Sequence, residues 1–132
     1  MPLLTKTVRT ITSNGIVATG GAAEVTVQLM LDGAAAANTV AVAANTEVII
    51  TDWVVTAQAA GNFRLQQTND GAAFFDLVIL RQPADGTGGV TELRTPIRIV
   101  GGATAAFRVR GETPGGSANV STTVRSYLET NG

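Results

Sequence analysis

The chain has no cysteine and no histidine in 132 residues. A zinc site of the usual kind, thiol chemistry and a histidine-based triad are therefore excluded. Charge is scarce as well: 14% of residues are charged, against about 25% in an average domain. Nine basic residues against ten acidic ones leave a net charge of −1. That balance lacks the basic excess a nucleic-acid binder uses to neutralise phosphates. Lysine occurs once, at Lys6, and the aromatics are Trp53, Tyr127 and four Phe. No stretch approaches the ~20 apolar residues of a membrane helix. The longest apolar-looking region, residues 33–44, is mainly Ala interrupted by Asn38 and Thr39. The opening Met1-Pro2-Leu3-Leu4-Thr5-Lys6 is not a basic start followed by a signal-peptide apolar run. The expectation is a chain made in the cytoplasm that partners neither membrane nor nucleic acid.

What the chain has is β-branched residues. Thr, Val and Ile supply 41 positions (19, 15 and 7). Such side chains suit a pleated, half-buried surface and lose rotamer freedom in helices. At this length one domain, residues 1–132, is expected. Turn signals recur at strand spacing: Ser13-Asn14-Gly15, Gly20-Gly21, Asp32-Gly33, Ala44-Asn45, Gly61-Asn62, Asn69-Asp70-Gly71, Asp85-Gly86, Gly101-Gly102 and Gly115-Gly116. Asn-Gly and Asp-Gly mark hairpins because both residues tolerate positive φ. Between the signals lie strand-length runs, about 5–12, 24–31, 39–43, 47–57, 62–68, 74–81, 90–94, 97–100, 104–111 and 119–128. Segment 24–31 alternates cleanly, with Val25, Val27, Leu29 and Leu31 on one face. Segment 47–57 is apolar at both parities, which predicts a central strand covered on both sides for part of its length. Pro96 lacks an N–H and predicts a bulge or a sheet edge. The Ala run 33–37 is too short to stand as a helix. The prediction is an all-β fold: an antiparallel β-sandwich of jelly-roll type, with eight to ten strands. Residues 46–132 carry every aromatic and form its densest core, and residues 1–45 read as strands added to that core.

The search for chemistry finds no catalytic constellation and no cofactor site. Nothing holds two carboxylates across a cleft as a glycosidase requires. Asn69-Asp70-Gly71 supplies too few oxygens for calcium by itself. Gly86-Thr87-Gly88-Gly89 lacks the Lys and the helix of a phosphate loop. No Ser sits in a Gly-x-Ser-x-Gly turn. Asp70 reads as a turn residue, and Asp52 as a structural carboxylate or a metal ligand. The chain is therefore expected not to be an enzyme.

Interface readings remain. Depleted charge with retained Arg is the bias of an interface core. Arg108 and Arg110 share one face of a strand, and Arg64 faces out from another. Same-sign neighbours on a sheet repel, so these arginines either form a solvated face or need carboxylates across a strand or a subunit boundary. A closed ring, a trimer, would supply the latter. Residues 1–12 hold Lys6 and Arg9 and no acidic residue, with Leu3, Leu4, Val8 and Ile11 apolar. Twelve extended residues span roughly 40 Å at about 3.3 Å each. The segment is either an arm pairing with a neighbouring protein by strand addition or an edge strand of its own sheet. Leu4, Lys6, Val8, Arg9, Arg64, Arg108 and Arg110 are the candidate interface residues. Trp53 and Phe63 sit at strand parity and read first as core aromatics. Under the alternative of a sugar-binding platform, Trp53 and Tyr127 are the candidate stacking residues, with Phe63 a third aromatic to weigh.

Three segments carry a resemblance: Glu47-Val48-Ile49-Ile50-Thr51-Asp52-Trp53-Val54-Val55, Pro96-Ile97-Arg98-Ile99-Val100-Gly101-Gly102, and Val124-Arg125-Ser126-Tyr127-Leu128-Glu129. Their pattern of strand and turn resembles the small jelly-roll structural proteins of tailed-phage virions, of head-decoration and fibre type. The resemblance implies a homo-oligomer, often a trimer, bound to a capsid or another virion protein. It implies equally a carbohydrate- or receptor-binding module at a fibre tip.

Overall fold

The computed structural model describes residues 6–18, 24–32, 36–57, 59–82, 89–114 and 119–131. Among these there are ten strands and no helix. They are β1 (Lys6–Ala18), β2 (Val25–Val27), β3 (Met30–Leu31), β4 (Val40–Ala41), β5 (Thr46–Ala57), β6 (Gly61–Thr68), β7 (Phe75–Gln82), β8 (Gly89–Val100), β9 (Ala106–Glu112) and β10 (Asn119–Asn131). Two antiparallel sheets result. Sheet A runs β3-β1-β10-β5-β8, and sheet B runs β2-β9-β6-β7 with β4 also on β9. The first strand pairs with the last, and each sheet draws strands from both halves of the chain. That interleaving is the jelly-roll arrangement of a β-sandwich.

The inner faces meet in one core. Trp53, Val55, Ile50, Ile99, Val120 and Val124 come from sheet A, and Phe63, Leu65, Phe107 and Val109 from sheet B. Ile11, Val27, Leu29, Val40 and Val42 are buried in the same cluster, so the first 45 residues build the core rather than append to it.

Sequence alternation places most inner faces correctly, and the departures have local causes. The two parities of β5 come from a bulge. Ile50 pairs Ser126 and Asp52 pairs Arg125, leaving Thr51 unpaired. The extra residue flips the pleat, so Val48 and Ile50 point inward before it and Trp53, Val55 and Ala57 after it. Ile49 and Val54 stay half-buried on the outer face, so burial here is one-sided. The same step recurs on the other side of β5, where Ile50 pairs Ile97 and Asp52 pairs Glu92. Residues 93–96 bulge there, which puts Pro96 both in a bulge and in the edge strand of sheet A. Runs 90–94 and 97–100 are thus one strand.

The predicted turn at Ser13-Asn14-Gly15 is instead the middle of β1, paired with Val124, Thr123 and Thr122 of β10. Gly15 is there because the chain passes over it: a Cβ at this position would lie 2.1 Å from the Gln28 carbonyl oxygen. Segment 24–31 keeps its buried face through Val27 and Leu29 but changes sheets near Gln28, giving β2 to sheet B and β3 to sheet A. Residues 6–12 are strand in their own sheet, bonded to β10 along their whole length, as the edge-strand reading requires.

Candidate interaction surfaces

The outer face of sheet B brings Arg64, Arg108 and Arg110 together. Pairing of β6 with β9 sets Arg64 directly against Arg110 and Gln66 against Arg108. Pairing of β6 with β7 sets Gln66 against Asp76. Just before β2, Glu24 reaches in from the far side. Arg64 meets Asp76 at 2.7 Å and Glu24 at 3.2 Å, and Arg110 meets Glu24 at 3.1 Å. Arg64 Nε lies too far off its N–H axis from Glu24 to form a hydrogen bond. Arg110 also donates to the Glu24 carbonyl oxygen at 3.2 Å. The Gln66 amide then bridges outward, its Nε2 donating to Asp76 at 2.8 Å and its Oε1 accepting from Arg108 Nε at 2.8 Å. The guanidinium of Arg108 lies over the Phe74 ring, 3.5 Å from its centroid, a cation–π contact.

Of the two places the sequence allows for carboxylates, across a strand or across a subunit boundary, these contacts fill the first. Arg64 and Arg110 take Glu24 and Asp76 of the same chain as counter-charges, and Arg108 is bonded to Gln66, so like-charge repulsion on this sheet gives no reason for a ring. Sequence parity showed Arg108 and Arg110 sharing a face. It could not show Arg64, Glu24, Asp76 or Gln66 joining them, because that depends on which strands pair.

Partial burial, then the like charge of Arg110, lower the pKa of Arg108, while Glu24 acts the other way. The group stays protonated regardless. Beside Phe74 an open cavity of about 240 Å³ is lined by Thr39, Ala41, Thr68, Ala105 and Ala106. Above it the 69–73 loop closes on Asp70. Its Oδ1 accepts from the Ala72 and Ala73 amides and the Thr68 hydroxyl, and these bonds hold its pKa below the ordinary value. Gly71 takes φ +80°, a region favouring glycine. Asp70 is the turn residue its setting suggested.

The outer face of sheet A is different in kind. Its cross-strand rows read Val8, Glu129, Glu47, Val100, then Thr10, Tyr127, Ile49, Arg98, then Thr12, Arg125, Asp52 and, further on, Asn14, Thr123, Val54. Arg98 pairs with Glu47 and Glu129. Val8, Ile16, Val100 and Tyr127 are 54%, 73%, 61% and 45% exposed, exposed apolar groups spaced across the face with polar and charged residues between them. Of the predicted interface residues, Val8 lies here. Lys6 and Arg9 are on β1 with only their backbones described, and Leu4 lies outside the described residues.

The sugar-stacking expectation loses Trp53. Its indole is fully buried, and its N–H donates to the Thr122 hydroxyl at 2.8 Å, which itself donates to the Val54 carbonyl at 2.9 Å. A buried ring whose one polar group is engaged offers no face to a ligand. Phe63 is buried as well, leaving Tyr127 exposed on a flat sheet. Asp52 accepts from the Thr51 hydroxyl beside it. Among the described residues no three Cys, Asp or Glu side chains gather in a way that could hold a metal ion. No protein-family model and no curated protein matches this chain.

Proposed function

We propose that this chain is a non-enzymatic structural protein of a phage virion, seated on a capsid or another virion protein as a trimer. The observation carrying the proposal is the outer face of sheet A. It is four long strands wide plus β3, sets hydroxyl, aliphatic and Tyr side chains among the charges of Glu47, Asp52, Arg98, Arg125 and Glu129, and is uncovered by any other described segment. A broad exposed surface of mixed apolar, hydroxyl and charged groups suits a partner that is itself a broad protein surface. The three segments resembling virion proteins fall on β10, β5 and β8, neighbouring strands of this same sheet.

Re-addition to stripped particles tests the proposal. The wild-type chain is expected to co-sediment with them. Ile16→Lys and Val100→Lys, both on exposed positions, are expected to abolish co-sedimentation without lowering the unfolding temperature. Unchanged co-sedimentation of both variants would overturn the assignment of this face. Sedimentation equilibrium tests the trimer separately. A carbohydrate-binding reading now rests on Tyr127, and a glycan array on which Tyr127→Ala abolishes a specific signal would favour it instead.

A further inference from the structure

The network on sheet B has three guanidiniums and two carboxylates. Glu24 serves Arg64 and Arg110, and Asp76 serves Arg64 and the Gln66 amide. The surplus positive charge therefore sits at the end of the chain of contacts, on Arg108, whose polar partner is the neutral Gln66. Arg108 is also held still. Its Nε is bonded at 2.8 Å and its plane rests on Phe74. Among the described residues, neither of its Nη groups has a partner. A guanidinium fixed in place and short of a counter-charge has already given up the rotamer freedom that anion recognition usually costs, and its free edge matches the fork of a carboxylate.

A second feature adjoins the first. Phe74 stacks on Arg108 and also lines the 240 Å³ cavity, whose other walls are small: Ala41, Ala105, Ala106, Thr39 and Thr68. The cavity offers aliphatic contact and room for a short side chain. From these two features we infer that the outer face of sheet B is a docking site for an acidic peptide segment of a partner protein. A Glu or Asp carboxylate meets the Nη edge of Arg108, and a neighbouring small aliphatic side chain enters the cavity past Phe74. A carboxylate fits better than a phosphate, because among the described residues one guanidinium and no second unpaired cation faces the site. The proposal does not depend on the role of sheet A, which lies on the opposite side of the sandwich.

The test is a nuclear magnetic resonance titration of the full chain with a capped peptide of alternating Ala and Glu. Controls are the same peptide with Gln for Glu, and acetate. The Glu peptide is expected to give saturable shifts at Arg108 Nε and at the Thr68 and Ala106 amides, weakening as salt screens the contact. Arg108→Gln is expected to weaken binding at least about tenfold, the range for a hydrogen bond to a charged group. Gln66→Ala, which removes the bond that holds Arg108 Nε in place, is expected to weaken binding less than Arg108→Gln does. Unchanged unfolding temperatures for both variants would separate lost binding from lost structure. Equal shifts with the Gln peptide, or binding indifferent to Arg108→Gln, would overturn the proposal. So would acetate binding as tightly as the peptide, which would mark an anion site with no peptide groove, or the absence of any saturable shift.

Discussion

The two sheets handle the same shortage in different ways. Sheet B gathers Glu24, Arg64, Asp76, Arg108 and Arg110 into one network on its outer face. Sheet A covers its outer face with Thr, Val, Ile and Tyr and keeps a few charges around Arg98 and Arg125. The inner faces differ too. Sheet B packs phenylalanines and aliphatics, whereas sheet A buries Ser13, Thr122 and Ser126 among its apolar groups. A low average charge is thus not an evenly dilute surface. One face links its charges into a single network and can be specific. The other intersperses its charges with hydroxyl and apolar groups, which suits extended contact.

The comparison breaks most sharply at the aromatic anchors. Trp53→Ala in sheet A and Phe63→Ala in sheet B should each cost about 3–5 kcal/mol, read as a shift in the urea midpoint. If only Phe63→Ala is costly, sheet A is held by its long ladders rather than by its packing. Gly15→Ala should come next, at about 1–3 kcal/mol, because its new Cβ meets the Gln28 carbonyl oxygen where the chain crosses between sheets.

The polar groups inside sheet A give a pair of opposite sign. Thr122→Val removes the acceptor of the Trp53 N–H and leaves that donor buried, at a cost of about 1–3 kcal/mol. Ser126→Ala removes a buried hydroxyl that lacks any partner. It should be neutral or stabilising by up to about 1 kcal/mol. Equal losses from both would show that the Trp53 bond is not what sets Thr122 apart.

The smallest effect is one of pH, at the loop bordering sheet B. The native pKa of Asp70 is lowered by the Ala72 and Ala73 amides and the Thr68 hydroxyl. Its contribution is therefore present above the unfolded aspartate pKa and is lost as pH falls through the lower native value. Asp70→Ala should lower the urea midpoint slightly at neutral pH. The gap from wild type should close well below the ordinary aspartate range.

Strands were legible wherever one face is buried and the pairing runs without interruption. Val120, Thr122, Val124 and Ser126 alternate within the run 119–128 and form one buried face in the fold. Legibility failed where something distant intervened. A bulge at Thr51 looked like burial on both sides, and Gly15 looked like a turn because the Gln28 carbonyl above it cannot be seen from its neighbours. The arginine site was half legible. Parity along β9 joined Arg108 and Arg110, while Arg64, Glu24, Asp76 and Phe74 entered through pairings and loop placement.

By itself, then, the sequence determined the class of fold and the alternation of its strands, because β-branched content and a period of two act residue by residue. It also determined what chemistry was missing, since absent side chains are absent in any fold. The tertiary structure alone decided that Arg64 and Arg110 are paired with carboxylates within the chain and that Arg108 is the one left over. It also decided that Trp53 is an anchor and not a platform. Each of these depends on which strands lie side by side, and that is a property of long-range pairing that no local pattern carries.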